Sequence, residues 1–278
     1  MVHFVGAGPG ACDLITVRGE RLLKEADVII YAGSLVNPEL LQVRKETCEV
    51  YDSAYMTLEE VLEVLEAAEK DKKTTVRLHT GDPSLYGAIK EQMDELDRRG
   101  IAYEICPGGS SFSGAAASLK LEYTLPEISQ SVIITRMEGR TKVPEKESIR
   151  SFAAHQATMV LFLSAGLLEP LSRELMAGGY PGDTPAAIVY KASWPEEAVY
   201  RCTVETLAET AKANHVTKTA LIVVGEVLEG GKKTGYERSK LYDPEFTAMF
   251  REGTKKTVQF PEQQRKESIC HRNRAGRL

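Results

Sequence analysis

Short apolar runs alternate with amphipathic stretches along most of these 278 residues, and that alternation restricts the chain to an α/β fold. His3–Val5, Val28–Tyr31, Thr75–Leu78 and Tyr103–Cys106 are strand-sized and rich in β-formers, and Glu46–Val50 reads as a further short strand. Helical patterns fall between them. Thr16 is placed to cap a helix running through Ala26. Thr57-Leu58-Glu59-Glu60 is a capping box, because Thr and Glu three apart satisfy each other's orphan amides. The helix it opens carries Leu58, Val61, Leu62, Leu65 and Ala68 at helical spacing. Another helix ends at Arg99, and one of small residues starts at Ser111.

The pattern changes after residue 120. Leu121–Ser129 breaks periodicity and contains a proline, so it reads as a linker. Val132–Thr135, Met159–Leu163, Ala186–Tyr190, Ala198–Thr203 and Ala220–Val224 are predicted strands. Helices are expected over Glu145–His155, Leu168–Ala177 and Val204–Asn214. No helix fits between Ala186–Tyr190 and Ala198–Thr203, which implies an antiparallel pair. The expected architecture is a mostly parallel α/β domain over 1–120, a mixed-sheet α/β domain over 121–235, and a basic extension over 236–278.

Charge and composition exclude several function classes. Net charge is −5, and the segment from Arg251 onward holds eight Lys/Arg against three Asp/Glu, leaving −10 on the rest. An acidic body disfavours nucleic-acid binding. No run approaches the ~18 apolar residues of a membrane span. The five cysteines are odd in number and show no C-x-x-C spacing, so free thiols are expected, and with them a cytoplasmic location. The five histidines are equally scattered, and no metal site is expected.

The first strand runs into Gly6-Ala7-Gly8-Pro9-Gly10-Ala11, which fits the loose dinucleotide fingerprint. Three details oppose a nicotinamide site. Pro9 lacks an N–H for the phosphate cradle. The next helix begins only near Thr16, too far along to face a pyrophosphate. The acid expected at the end of the second strand is absent, since Tyr31-Ala32-Gly33-Ser34 stands there. A purely structural turn stays open, yet so much glycine at a strand end points to backbone brought close to a ligand. Thr80-Gly81-Asp82-Pro83-Ser84 and Pro107-Gly108-Gly109-Ser110-Ser111 also leave strand ends. In a parallel sheet all three loops lie along one edge, where ligands bind.

These three loops in this order, with the late strand Leu221-Ile222-Val223-Val224-Gly225-Glu226, resemble the tetrapyrrole methylase family. The resemblance spans the first strand to about residue 230. It implies two α/β domains with a ligand cleft between them, S-adenosylmethionine as methyl donor, a small-molecule tetrapyrrole as acceptor, and a homodimer. Tyr31–Val36, Asp52-Ser53-Ala54, Thr135–Thr141 and Ser239–Pro244 are similar to the branch that methylates a corrin precursor at C11. The uroporphyrinogen-III branch usually carries Tyr-Asp-x-Leu-Val where Ala32-Gly33 stands, so this chain lacks that carboxylate. Methylases acting at another ring carbon, and a diphthine synthase-like activity on a protein, remain alternatives.

By the same resemblance the donor site takes Pro9, Thr80, Gly81, Asp82, Ser110, Ser111, Leu163, Ala192, Thr219 and Ala220. Small residues admit close backbone approach, serine hydroxyls suit a carboxylate or ribose, and Leu163 and Ala192 suit an adenine wall. The last two also fit an ordinary core. Asp82 is the candidate catalytic acid, with gripping the donor's ammonium, taking a proton or closing its own turn as its possible roles. The acceptor's carboxylates call for Arg136 and Arg140, whose planar forks bind both oxygens, and Ser34 is a further substrate-binding candidate.

Overall fold

In this computed structural model the described residues are 1–230, 236 and 239–253; the side chain of Ser34 and most of the basic end segment lie outside them. The chain forms two compact units, Met1–Gly235 and Tyr236–Leu278.

Five parallel strands make the first sheet: β1 (Val2–Gly6), β2 (Val28–Tyr31), β3 (Glu49–Asp52), β4 (Thr75–His79) and β5 (Tyr103–Cys106), in the order β3-β2-β4-β1-β5. Alternate residues face opposite ways in a strand. Val5, Ile29, Val76 and Leu78 therefore pack on one face, with Leu22 and Leu23 of α1 (Val17–Glu25). Phe4, Val28 and Ile30 pack on the other, with Leu62 and Leu65 of α2 (Leu58–Lys70) and Leu96 of α3 (Lys90–Arg99). Thr16 caps α1 by accepting from the Gly19 amide at 3.1 Å. Both halves of the Thr57–Glu60 capping box form on α2. The third strand begins at Glu49 rather than Glu46, because Glu46-Thr47 turns the chain first.

From β1 the chain crosses toward β2, and from β4 it crosses the other way to β5. Such a reversal opens a crevice at the carboxyl ends of the strands. The three glycine-bearing loops all start there.

The second sheet has β6 (Val132–Arg136), β7 (Thr158–Phe162), β8 (Pro185–Tyr190), β9 (Ala198–Thr203) and β10 (Ala220–Val224), ordered β6-β7-β10-β8-β9. Only β6 and β7 are parallel; the other pairs are antiparallel, including the expected β8–β9 hairpin. One face is covered by α5 (Ile149–Ala153), α6 (Leu168–Gly178) and α7 (Leu207–Ala213). The opposite face is covered by α4 (Ser111–Leu119), which buries Ala115 and Leu119 against Val160, Ala187, Val189 and Val223. A helix from the first half of the sequence thus completes the second sheet's core and ties the two sheets together.

In the unit starting at Tyr236, Ser239 caps a short turn over Lys240–Tyr242, and the Arg251 guanidinium donates to the carbonyls of Leu241, Asp243 and Phe246. Among the described residues no helix is long and apolar enough to cross a membrane.

Candidate functional site

The loops after β1, β4 and β5 interlock through bare backbone. Gly8 and Gly81 exchange hydrogen bonds of 3.2 and 2.9 Å. A Cβ on Gly6 would stand 2.6 Å from both Gly108 Cα and the Gly81 carbonyl, and one on Gly108 would stand 2.3 Å from that same carbonyl. No side chain fits between these loops, so glycine is required at both positions. Gly10 faces a different neighbour, since a Cβ there would meet the Trp194 indole at 2.1 Å.

Asp82 fastens the arrangement. Its Oδ2 accepts from the Gly108 amide at 2.9 Å, and its Oδ1 accepts from the Ser84 amide and hydroxyl. Burial pushes its pKa up, but the bonds from Ser84 and Gly108 outweigh this and hold the carboxyl below its ordinary value. Both oxygens thereby accept bonds that close the loops, and Asp82 is not among the residues lining the cavity.

That wall encloses about 350 Å³, within the ~300–1,000 Å³ range of small-molecule sites. Pro9, Thr80, Ser111, Leu163, Ala192, Thr219 and Ala220 line it. Gly81 and Ser110 stand immediately behind, with Gly81 packed on the Ser110–Ser111 backbone. Ser110 is the N-cap residue of α4, yet its hydroxyl makes no capping bond. Three residues around the cavity are non-glycine and left-handed: Leu163 (φ 53°), Lys191 (φ 46°) and Thr219 (φ 54°). Such backbone costs on the order of 1–3 kcal/mol per residue and gathers at functional sites. Leu163 is 66% exposed, an apolar side chain presented to the opening rather than stored in the core.

Several residues lining the cavity escaped the sequence reading, among them Leu35, Phe162, Lys191 and Trp194. Trp194 lies in the β8–β9 connection, which reaches across to the first half of the chain: the Ala11 amide donates to Ser193 Oγ at 3.1 Å. Lys191 sits 5.1 Å from the Trp194 ring centroid. The available signal was the chain's single tryptophan, placed in a loop between strands that no helix separates. Tyr86 was also missed. Left-handed at φ 57°, it sets its ring 5.4 Å from Phe162 and joins the Gly-Asp-Pro loop to the second sheet.

The expected acceptor residues fare differently. Arg140 is exposed in the loop after β6. Arg136 turns its guanidinium back on that loop, donating to the carbonyls of Met137 at 3.4 Å, Thr141 at 3.2 Å and Lys142 at 2.7 Å. Much of its fork is therefore committed within the protein, which the isolated sequence gave no means of seeing. Ser34 lies in a short turn after β2, and its side chain is outside the described residues.

Behind the loops, β4 buries two nitrogen-bearing side chains, Arg77 and His79. Arg77 donates to Gln92, Ser53 and the Ile30 carbonyl, and burial lowers its pKa to about 10. His79 has an Nε2 without a partner; burial first, then Arg77, lowers its pKa to about 3. Among the described residues no cluster of His, Cys, Asp and Glu is arranged to hold a metal ion.

Comparison with known proteins gives a consistent picture. Residues 1–208 match the profile of the Tetrapyrrole (Corrin/Porphyrin) Methylases. The chain is 54% identical over 255 residues to a cobalt-precorrin-4 C(11)-methyltransferase of Methanocaldococcus jannaschii, covering 92% of this chain and 97% of that one. It is 43% identical to the precorrin-4 C(11)-methyltransferase of Pseudomonas aeruginosa, covering 91% and 99%. The crystal structure of a cobalt precorrin-4 methyltransferase superposes with a TM-score of 0.80 at 45% identity, over 82% of this chain and 95% of that one. A uroporphyrin-III C-methyltransferase from Thermus thermophilus, solved with S-adenosylhomocysteine, gives a TM-score of 0.70 at 28% identity over 82% and 99%.

Proposed function

Because the chain belongs to the tetrapyrrole methylase family, we infer that it methylates C11 of cobalt-precorrin-4 in cobalamin biosynthesis, with S-adenosylmethionine as donor. The observation that carries this reading is the 54% identity to the Methanocaldococcus jannaschii enzyme across nearly its whole length.

The cavity fits the donor. Bound there, S-adenosylmethionine supplies an electrophilic methyl on a sulfonium. No carboxylate lines the cavity among the described residues. That suits a positive charge that fades on the way to the transition state, because a fixed anion would hold the ground state more tightly. Methyl transfer needs nucleophile, methyl and sulfur nearly in line, so positioning supplies much of the rate. The interlocked glycine loops and the left-handed Leu163, Lys191 and Thr219 provide a rigid seat for it. Asp82 is a positioning residue here, holding the Gly-Asp-Pro loop to the Pro-Gly-Gly loop. Arg136 shapes the loop that presents Arg140 to the acceptor's carboxylates. The reading includes a homodimer and a cytoplasmic location, which rest on family resemblance and on the free cysteines.

Incubation with methyl-labelled S-adenosylmethionine and cobalt-precorrin-4 tests it, with the labelled carbon located by NMR. Label at C11 is expected. Label at another ring carbon, or none on any tetrapyrrole, overturns the assignment.

A further inference from the structure

Tyr86 stands where the Gly-Asp-Pro loop meets the second sheet. Its backbone is left-handed (φ 57°), and so is that of Ala88 (φ 50°), a conformation that residues other than glycine seldom adopt. Between them, Gly87 runs so close to Pro83 that a Cβ there would stand 2.2 Å from the Pro83 carbonyl. This strained path is secured from behind by buried side chains. Arg77 Nε donates to Gln92 Oε1 at 3.1 Å, and Gln92 Nε2 donates to the Ala88 carbonyl at 2.9 Å. Strain that the surroundings hold in place gathers at functional sites, where the direction of a side chain matters.

The loop presents an aromatic ring that the core does not take in, since Tyr86 is 46% exposed. The ring meets Phe162 at a centroid distance of 5.4 Å and an angle of 43°. Phe162 and the exposed Leu163 after it both line the cavity of about 350 Å³, so Tyr86 adjoins the wall of that cavity. Burial raises the Tyr86 pKa, while the positive charge of Arg136 works against this and Glu147 adds to it. An accessible ring with a guanidinium within electrostatic reach suits a conjugated macrocycle that carries carboxylates on its rim.

We propose that Tyr86 is a binding residue for the acceptor, its exposed ring stacking on the conjugated macrocycle and holding it beside the cavity that takes the donor. The proposal rests on the methyltransferase reading above. Tyr86 makes and breaks no bond in the reaction. It supplies contact area, and the Arg77–Gln92 pair fixes the loop that aims it.

Tyr86 also packs on Phe162, and the test separates the two roles. Acceptor KM and kcat with cobalt-precorrin-4, S-adenosylhomocysteine affinity and melting temperature are measured for wild type, Tyr86→Phe, Tyr86→Asn and Tyr86→Gly. Asparagine and glycine accept left-handed backbone, so these two variants delete the ring without adding strain. Both are expected to raise the acceptor KM by roughly 2- to 10-fold, the worth of one aromatic contact, with kcat and S-adenosylhomocysteine affinity unchanged. Tyr86→Phe keeps the ring and is expected to keep the wild-type KM. An unchanged KM in the two ring-less variants overturns this proposal alone. S-adenosylhomocysteine affinity that falls as far as acceptor affinity overturns it too, because the ring would then only brace Phe162 in the cavity wall. A Tyr86→Phe variant as impaired as Tyr86→Asn, or ring-less variants that fail to fold, also count against it: the first assigns the role to the hydroxyl, the second to the fold. A wild type that methylates nothing overturns both this proposal and the reading beneath it.

Discussion

His79 shows how a single side chain couples the site to solution conditions. It closes β4, one residue before the Gly-Asp-Pro loop, and its imidazole is 4% exposed with Nε2 unpaired. The ordinary histidine value is 6.5, whereas burial and Arg77 lower it here to about 3. Between those values the unfolded chain binds a proton that the folded chain refuses. Acidification below about pH 6.5 therefore removes stability, by about 1.4 kcal/mol per pH unit at most, until the folded value is reached. His79→Asn abolishes this contribution. We expect the urea midpoint of the variant to change less than that of wild type between about pH 6.5 and about pH 4.5, whatever its stability at neutral pH. Parallel slopes in the two proteins would show that the imidazole does not titrate in this range.

At the scale of elements, the site is a joint between loops rather than a feature of any one of them. Gly6, Gly81 and Gly108 belong to the ends of three strands that are far apart in sequence and adjacent in the sheet. The obstacle to a side chain at Gly108 is backbone, 2.3 Å away, which cannot rotate aside as a side chain can. Gly108→Ala therefore forces the loops after β4 and β5 apart and strains the Asp82–Gly108 bond. The expected cost is about 1–3 kcal/mol of stability by urea denaturation. At least tenfold of S-adenosylhomocysteine affinity should be lost by calorimetry. Wild-type affinity in this variant would mean that loop spacing does not set where S-adenosylhomocysteine binds. The same logic explains the third strand, expected from Glu46 and found from Glu49. Its start is decided by a turn and by pairing with β2, and neither is a property of local β propensity.

At the scale of the whole molecule, the cavity draws walls from both sheets, with Pro9, Thr80 and Ser111 on one side and Leu163, Ala192 and Thr219 on the other. A ligand that binds only the assembled cavity stabilises the folded chain by mass action. S-adenosylhomocysteine at about 100 times its Kd should add about 2.7 kcal/mol and raise Tm accordingly in a thermal scan. A nicotinamide dinucleotide at millimolar concentration should leave Tm unchanged, because Pro9 lacks a phosphate donor and α1 starts only at Val17. A shift with the dinucleotide instead would return the glycine turn to its other reading.

Local rules made the elements legible. Period-2 and helical patterns located the strands, the Thr16 cap and the Thr57–Glu60 box were readable as side-chain chemistry, and glycine clusters marked the strand ends whose loops interlock. Pro9, Thr80, Ser111, Leu163, Ala192, Thr219 and Ala220 were named through resemblance, and the folded chain brings them to one cavity. Orientation and partners needed the tertiary structure. Whether a carboxylate is free or spent depends on what stands within 3 Å of it. Asp82 was readable as an acid in a turn, but only folding brings the Gly108 amide to it from 26 residues away. Arg136 turns back on carbonyls one to six residues along its own loop, a loop path that no local pattern specified. Trp194 and Tyr86 carried no periodic or motif signal, and they matter because the β8–β9 connection and the Gly-Asp-Pro loop cross from one sheet toward the other. A sequence records which groups exist and what local backbone they favour. The pairing of strands and the packing of α4 onto the second sheet decide which of those groups meet.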